Sequence, residues 1–239
     1  MIPKIIHYCW FGGNPIPEKD QKCINSWKKY CPDYEIVEWN EKNYDLNKNK
    51  YMIQAYKEQK WGFVPDYARF DIIYTQGGFY LDTDVELVKS LDELRNNNGY
   101  MGFEGKIWVN GGIGFGAEAG NKTIKGLRDM YDELSFYQKD GTLNLKPSPY
   151  YITEFLESKG LQRNDKEQIV EELKIYPSDF FAAKDYETGK LHLTENTVSI
   201  HQYNASWMSP RKKRARKIKR LLGENTFNKL IKIKSFLKG

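Results

Sequence analysis

The sequence predicts an α/β protein, a mixed sheet flanked by helices, on three observations. Short apolar runs closed by glycine or asparagine turn signals alternate with segments of helical period through the first 80 residues. A strand, a helix and a second strand fit between residues 3 and 39, the span of a βαβ unit, and that unit sets its two strands parallel. With 239 residues, 40% hydrophobic and 15% aromatic, the chain can close one large core and carry at most a small appendage.

The elements follow in order. Residues 3–11 are short and apolar, stopped by Gly12-Gly13-Asn14-Pro15, and read as a buried strand. From Pro17 to Tyr30 the pattern is helical, with Glu18 and Asp20 in the first turn and lysines at the end, as the helix dipole favours. Residues 34–39 alternate like a strand, and residues 50–76 read as one or two helices ended by Gly77-Gly78. Phe79-Tyr80-Leu81 is a short strand stopping at Asp82-Thr83-Asp84. Further strands are expected at 99–104 and 107–116, helices at 121–137 and 150–159, and a late strand at 197–203.

Charge divides the chain in two. Residues 211–239 hold 12 Lys/Arg and one acid, Glu224, a net of +11, whereas residues 1–210 carry a net of −6. The expected organisation is a domain over 1–210 and a basic amphipathic helical tail over 211–239. Ile218, Leu221 and Leu222 recur at helical spacing, as do Phe227, Leu230 and Ile231, the pattern of a helix lying on an anionic bilayer. The alternatives are packing on the domain and nucleic acid. The latter is disfavoured because the tail lacks interleaved stacking aromatics and its apolar stripe would be left without a role. No apolar run approaches the ~18 residues of a spanning helix. The N-terminus lacks the apolar segment and cleavage site of a signal peptide. Three cysteines, Cys9, Cys23 and Cys31, form no paired framework, which points to a reducing cytoplasm.

Four constellations carry chemistry. Asp82 and Asp84 sit at a strand end, where ligands gather in open α/β sheets, and two carboxylates there suit a hard divalent cation with a diphosphate. With 14 aspartates, about one Asp-x-Asp pair arises by chance, so the motif alone is also a solvated strand end. Asp66 and Arg69 share a helical face, either as an ion pair or facing a polar cavity. The helix around them is too apolar for a surface element. His201, one of three histidines, is a structural residue or a ligand for Mn²⁺ or Fe²⁺. Asn110-Gly111-Gly112, with Gly114 and Gly116, is a twisted edge or a bare backbone surface; it matches no phosphate loop.

Together, residues 3–13, residues 66–86 and residues 201–207 resemble glycosyltransferase family 32, which includes capsular polysaccharide glycosyltransferases and fungal mannosyltransferases and is distantly similar to the glucosylating clostridial toxins. The resemblance implies a GT-A fold, a Rossmann-like mixed sheet, a nucleotide-sugar donor, a divalent ion (Mn²⁺ or Mg²⁺) and retention of configuration. It implies that His7, Tyr8 and Trp10 hold the nucleotide, that Asp66 and Arg69 hold the sugar and diphosphate, and that Asp82, Asp84 and His201 serve the metal, with Asp82 also near the ribose. Ser206 and Trp207 would hold the departing β-phosphate, and Asn110 would face the donor sugar or acceptor. The catalytic role falls to Asp66, Arg69 and Trp207. The expected activity is hexose transfer (galactose, glucose or an N-acetylated hexosamine) from a UDP-sugar to a lipid-linked glycan of capsular or cell-surface polysaccharide. The setting is the inner face of the cell membrane. The alternative is a nucleotide-sugar- or glycan-binding module without turnover.

Overall fold

A computed structural model describes residues 1–204 together with Arg214, Ala215, Lys217 and Arg220. Ser206, Trp207 and the rest of the expected tail lie outside the described residues.

Strand β1 (Ile5–Cys9) runs parallel to β2 (Glu35–Trp39), with His7 opposite Val37, and the helix between them is α1 (Glu18–Tyr30). The βαβ expectation is met. Helices α2 (Lys50–Lys57) and α3 (Pro65–Gln76) lead to β3 (Gly78–Tyr80), parallel to β1 on its other side. The turn between α3 and β3 needs glycine twice over. Gly77 and Gly78 have φ of +67° and +99°, and a Cβ on Gly78 would fall 2.7 Å from the Ile5 carbonyl oxygen.

Next come β4 (Val85–Leu87), β5 (Gly99–Glu104), β6 (Trp108–Val109) and β7 (Phe115–Ala117). Helices α4 (Lys122–Asp129) and α5 (Ser148–Glu157) precede β8 (Gln168–Val170), β9 (Leu173–Tyr176) and β10 (Ser199–His201). The main sheet is mixed, in the order β2-β1-β3-β7-β5-β9-β8, with β6 hairpinned onto β5. β4 and β10 form a separate antiparallel ribbon in which His201 pairs with Val85.

Alternation along the strands splits the core. Cys9, Tyr80, Met101 and Phe115 face α2, α3, α4 and α5. Ile6, Tyr8, Phe79 and Tyr100 face the α1 side. There the fully buried Trp27 donates its indole N–H to the Val85 carbonyl at 2.7 Å, tying α1 to the ribbon. Truncating Trp27 to alanine would cost about 3–5 kcal/mol.

Three expectations are corrected. The strand at 107–116 is two strands, because Asn110 Oδ1 accepts the Gly112 N–H at 2.7 Å and turns the chain out of the sheet. The helix at 121–137 stops at Asp129 and tightens into a 3₁₀ turn, Met130–Glu133. Tyr131 and Phe136 both pack against Tyr51, with ring centroids 5.4 and 5.3 Å away. Residues five apart lie about 140° apart around an α-helix and could not share that face. β4, β8 and β9 are additional to the sequence expectation.

Candidate active site

The carboxyl end of β3 opens onto a group of polar side chains drawn from α3, the β6–β7 loop and the ribbon. α3 is buried on every side from Asp66 to Ile73, including its charges; Asp66 and Arg69 are each 3% exposed. Arg69 Nη2 lies 3.0 Å from Asp66 Oδ1 and 3.7 Å from Asp82 Oδ1, and Nε donates to the Pro65 carbonyl at 3.2 Å. Tyr80 places its ring under the guanidinium, 5.2 Å from Cζ, and donates its hydroxyl to Asp82 Oδ1 at 3.1 Å. Burial pushes the Asp66 carboxyl up, to about 7, against the pull of Arg69. Burial likewise raises Asp82 against the pull of Arg69. A buried charged pair is costly unless further hydrogen bonds satisfy it, as Pro65 and Tyr80 do here.

Gly112 marks where these groups meet. A Cβ there would fall 2.5 Å from Asp82 Oδ2, 3.2 Å from Asn110 Oδ1 and 3.4 Å from Arg69 Nη1. The glycine lets bare backbone reach the carboxylate, and Asn110 is brought to the same point by its turn.

The two carboxylates of the Asp-x-Asp motif face different partners. Asp82 faces Arg69 and Tyr80, whereas Asp84 Oδ1 stands 3.2 Å from His201 Nε2 and Oδ2 accepts the Asn204 backbone N–H at 2.8 Å. Burial works against the Asp84 charge, yet His201 and the Asn204 amide outweigh it and hold the carboxyl below its usual range. Burial also opposes protonation of His201, but Asp84 and then Glu104 raise it to about 10. Among the described residues no three histidine, cysteine or acidic side chains converge into a ready metal cage. Asp82, Asp84 and His201 thus do not form such a cage as they stand, although Asp82 feels the charge of both Asp84 and His201. Asp84 and His201 do fit a shared divalent ion. Adjacent ligands held at ~2.1 Å in an octahedron stand about 3.0 Å apart, close to the observed separation of their donor atoms.

The residues expected to hold a nucleotide separate into two groups. His7 is 1% exposed and engaged at both nitrogens: Trp39 Nε1–H donates to Nδ1 at 3.1 Å, so Nε2 carries the proton and donates to the Gly77 carbonyl at 3.0 Å. Neither ring atom remains for a ligand, and His7 is a structural residue of the sheet. Tyr8 donates its hydroxyl to Glu38 Oε2 at 2.7 Å, and the half-buried Trp10 donates its indole N–H to the Asn14 carbonyl at 2.5 Å.

Sequence reasoning passed over three contributors, whereas it had singled out Gly112 as bare backbone. Glu104 Oε1 stands 3.6 Å from His201 Nδ1, Ser148 favours the charged form of Asp66, and Tyr80 donates its hydroxyl to Asp82. Only the apolar strand before Asp82 signalled Tyr80; the others are assembled by tertiary contact.

Comparison with known proteins gives a family match and a fold. Residues 17–100 match the model of the glycosyltransferase sugar-binding region containing DXD motif. Inositol phosphoceramide mannosyltransferase 3 of Schizosaccharomyces pombe is 35% identical over 97 residues, 39% of this chain and 27% of that protein. Inositol phosphoceramide mannosyltransferase 1 of the same yeast is 31% identical over 104 residues, 39% of this chain and 31% of that protein. The chain thus spans about a third or less of these relatives. Among solved structures, the PaToxG glycosyltransferase superposes with a TM-score of 0.51 at 20% identity, over 66% of this chain and 70% of that one. The fold is that of the GT-A glycosyltransferases.

Proposed function

We propose that this chain is a metal-dependent, retaining hexosyltransferase. It moves galactose, glucose or an N-acetylated hexosamine from a UDP-sugar to a lipid-linked glycan intermediate in capsular or cell-surface polysaccharide synthesis. One observation carries the reading: Arg69, Asp82 and Asn110 converge on the bare backbone of Gly112, with Asp66 holding Arg69 from behind, in a chain whose residues 17–100 match a sugar-binding glycosyltransferase region.

Departure of a nucleoside diphosphate develops about two negative charges, and a buried cation aimed there stabilises them without reorganisation. Arg69 is that cation, held by Asp66, Pro65 and Tyr80. Asp66, locked on Arg69, accepts hydroxyls of the donor sugar and is not free to act as a nucleophile, which suits a front-face route with retention. Asp82 and Asn110 flank the ribose and sugar, Tyr8 and Trp10 the base, and Ser206 and Trp207 the β-phosphate. Asp84 and His201 would hold Mn²⁺ (or Mg²⁺), which would act as a Lewis acid on the diphosphate. An imidazole ligand favours Mn²⁺.

Residues 1–210 form the catalytic unit, and the basic tail 211–239 docks it on the inner face of the cell membrane. Among the described residues no helix is long and apolar enough to cross a membrane, which is consistent with a peripheral association.

The test is a panel of UDP- and GDP-linked hexoses, mannose included because two relatives are named mannosyltransferases. Each is incubated with and without Mn²⁺ while nucleoside diphosphate release is followed. Mn²⁺-dependent release from one donor is expected. Silence throughout, together with no calorimetric binding of UDP or GDP, overturns the reading.

A further inference from the structure

We infer that Asp20 is a positioning residue for Asp84, acting through Asn204. The inference deepens the proposed function and rests on it for the metal.

Asp20 lies in the first turn of α1 and is 1% exposed. Attraction to the helix N-terminus does not explain its burial, since the exposed Glu18 in the same turn has that attraction while remaining in water. Across 184 residues of sequence, Asp20 Oδ1 accepts a hydrogen bond from Asn204 Nδ2 at 2.6 Å. The backbone N–H of the same asparagine donates to Asp84 Oδ2 at 2.8 Å, and the Gln202 N–H donates to the Asp84 carbonyl at 2.8 Å. Asn204 is therefore fixed by its side chain to α1, and it fixes one oxygen of Asp84 by its backbone. The other oxygen is left facing His201 at 3.2 Å.

Local structure alone does not supply this constraint. β4 and β10 are three residues each and form a ladder only with one another, with a single further bridge from Ile200 to Ala182. Tyr203, just before Asn204, has φ of +53°, a left-handed conformation that a tyrosine adopts only when its surroundings hold it there. α1 is the brace. Trp27 holds the Val85 carbonyl, and Ser26 Oγ accepts the Leu87 N–H at 2.8 Å, so α1 grips the backbone of β4 on one side. Through Asp20 it grips the carboxylate on the other. Partners that orient a metal-binding side chain typically change metal affinity 10–100-fold when removed.

Asp20→Ala and Asn204→Ala in the full chain test the relationship with two readouts. The first, amide hydrogen exchange at residue 204, needs no metal. The second is Mn²⁺ affinity by electron paramagnetic resonance, without sugar donor. Each variant is expected to speed exchange at least tenfold and weaken Mn²⁺ binding at least fivefold, with the double variant no weaker than the worse single one. If one variant fails to fold, the other still reports both quantities. Unchanged exchange overturns the latch. Faster exchange with unchanged Mn²⁺ affinity overturns its positioning role and leaves a structural one. A parent protein that binds no Mn²⁺ refutes the metal site instead, and exchange at residue 204 then decides the latch alone.

Discussion

Asp84 and His201 lie 117 residues apart in sequence and 3.2 Å apart in space, brought together by the ribbon that pairs Val85 with His201. Their attraction, with that of Glu104, raises the His201 imidazole above its ordinary value and favours a proton between the two donor atoms. A divalent ion would replace that proton, because metal ligands must be deprotonated.

Replacing either residue should therefore abolish metal-dependent turnover and spare the fold. Asp84→Asn and His201→Gln are expected to lose Mn²⁺-stimulated donor cleavage by about 100-fold or more. Their far-ultraviolet circular dichroism should match the parent. Substantial residual Mn²⁺-dependent turnover in Asp84→Asn would remove the ligand assignment.

How far the site was legible differs residue by residue. A helix apolar on every face that still carried Asp66 and Arg69 announced a buried polar function, and the structure buries both. His7 sits among residues that resemble a nucleotide-binding strand, but its partner Trp39 lies on the neighbouring parallel strand, and no spacing within β1 reveals that hydrogen bond. Glu104 was silent for a related reason. It ends β5 in the main sheet, and only the approach of the ribbon brings it to His201. The strands most visible in sequence were those bounded by glycine; β8 and β9 are turned by Glu171, a non-glycine at φ +52°, and gave no such signal.

Gly112→Ala is expected to lower kcat/KM at least tenfold while costing about 1–3 kcal/mol or less of stability. The added methyl would fall 2.5 Å from Asp82 Oδ2, and that carboxylate, 30% exposed, can yield only by leaving its place beside Arg69. Gly111→Ala is the control: its nearest contact, Arg69 Cδ at 3.4 Å, is ordinary. Equal activity of the two variants would show that the bare backbone at 112 is unimportant.

His7 predicts an acid-labile sheet. Burial lowers its pKa from 6.5 to about 4, opposed by the Gly77 carbonyl, so the fold holds the neutral ring. For a base lowered in this way the stability is fully present above pH 6.5. It is lost as pH falls from 6.5 through about 4, as the unfolded chain takes up the proton first. The loss amounts to about 3 kcal/mol. Urea unfolding between pH 7 and 4 should show this slope. His7→Gln should be less stable at pH 7 but flatter across the interval, and an unchanged slope would move the effect to another group.

Removing residues 211–239 should release the protein from phosphatidylglycerol vesicles and leave turnover on a soluble acceptor nearly intact. Each Lys or Arg near an anionic surface contributes about 1 kcal/mol, screened by salt. One tail residue already touches the domain: Arg220 Nη2 donates to the Tyr186 carbonyl at 2.6 Å. Binding that survives the truncation would assign membrane contact to the domain itself.

The ribbon of β4 and β10 shares no ladder with the main sheet. Its strands can part without breaking a single hydrogen bond of the other eight, so the unit that aligns Asp84 with His201 opens at a lower free energy than the whole molecule. On warming, then, catalysis should fail several degrees before the sheet melts. Whatever bridges those two side chains should close that gap, adding a clasp to a ribbon that α1, rather than the sheet, holds in place.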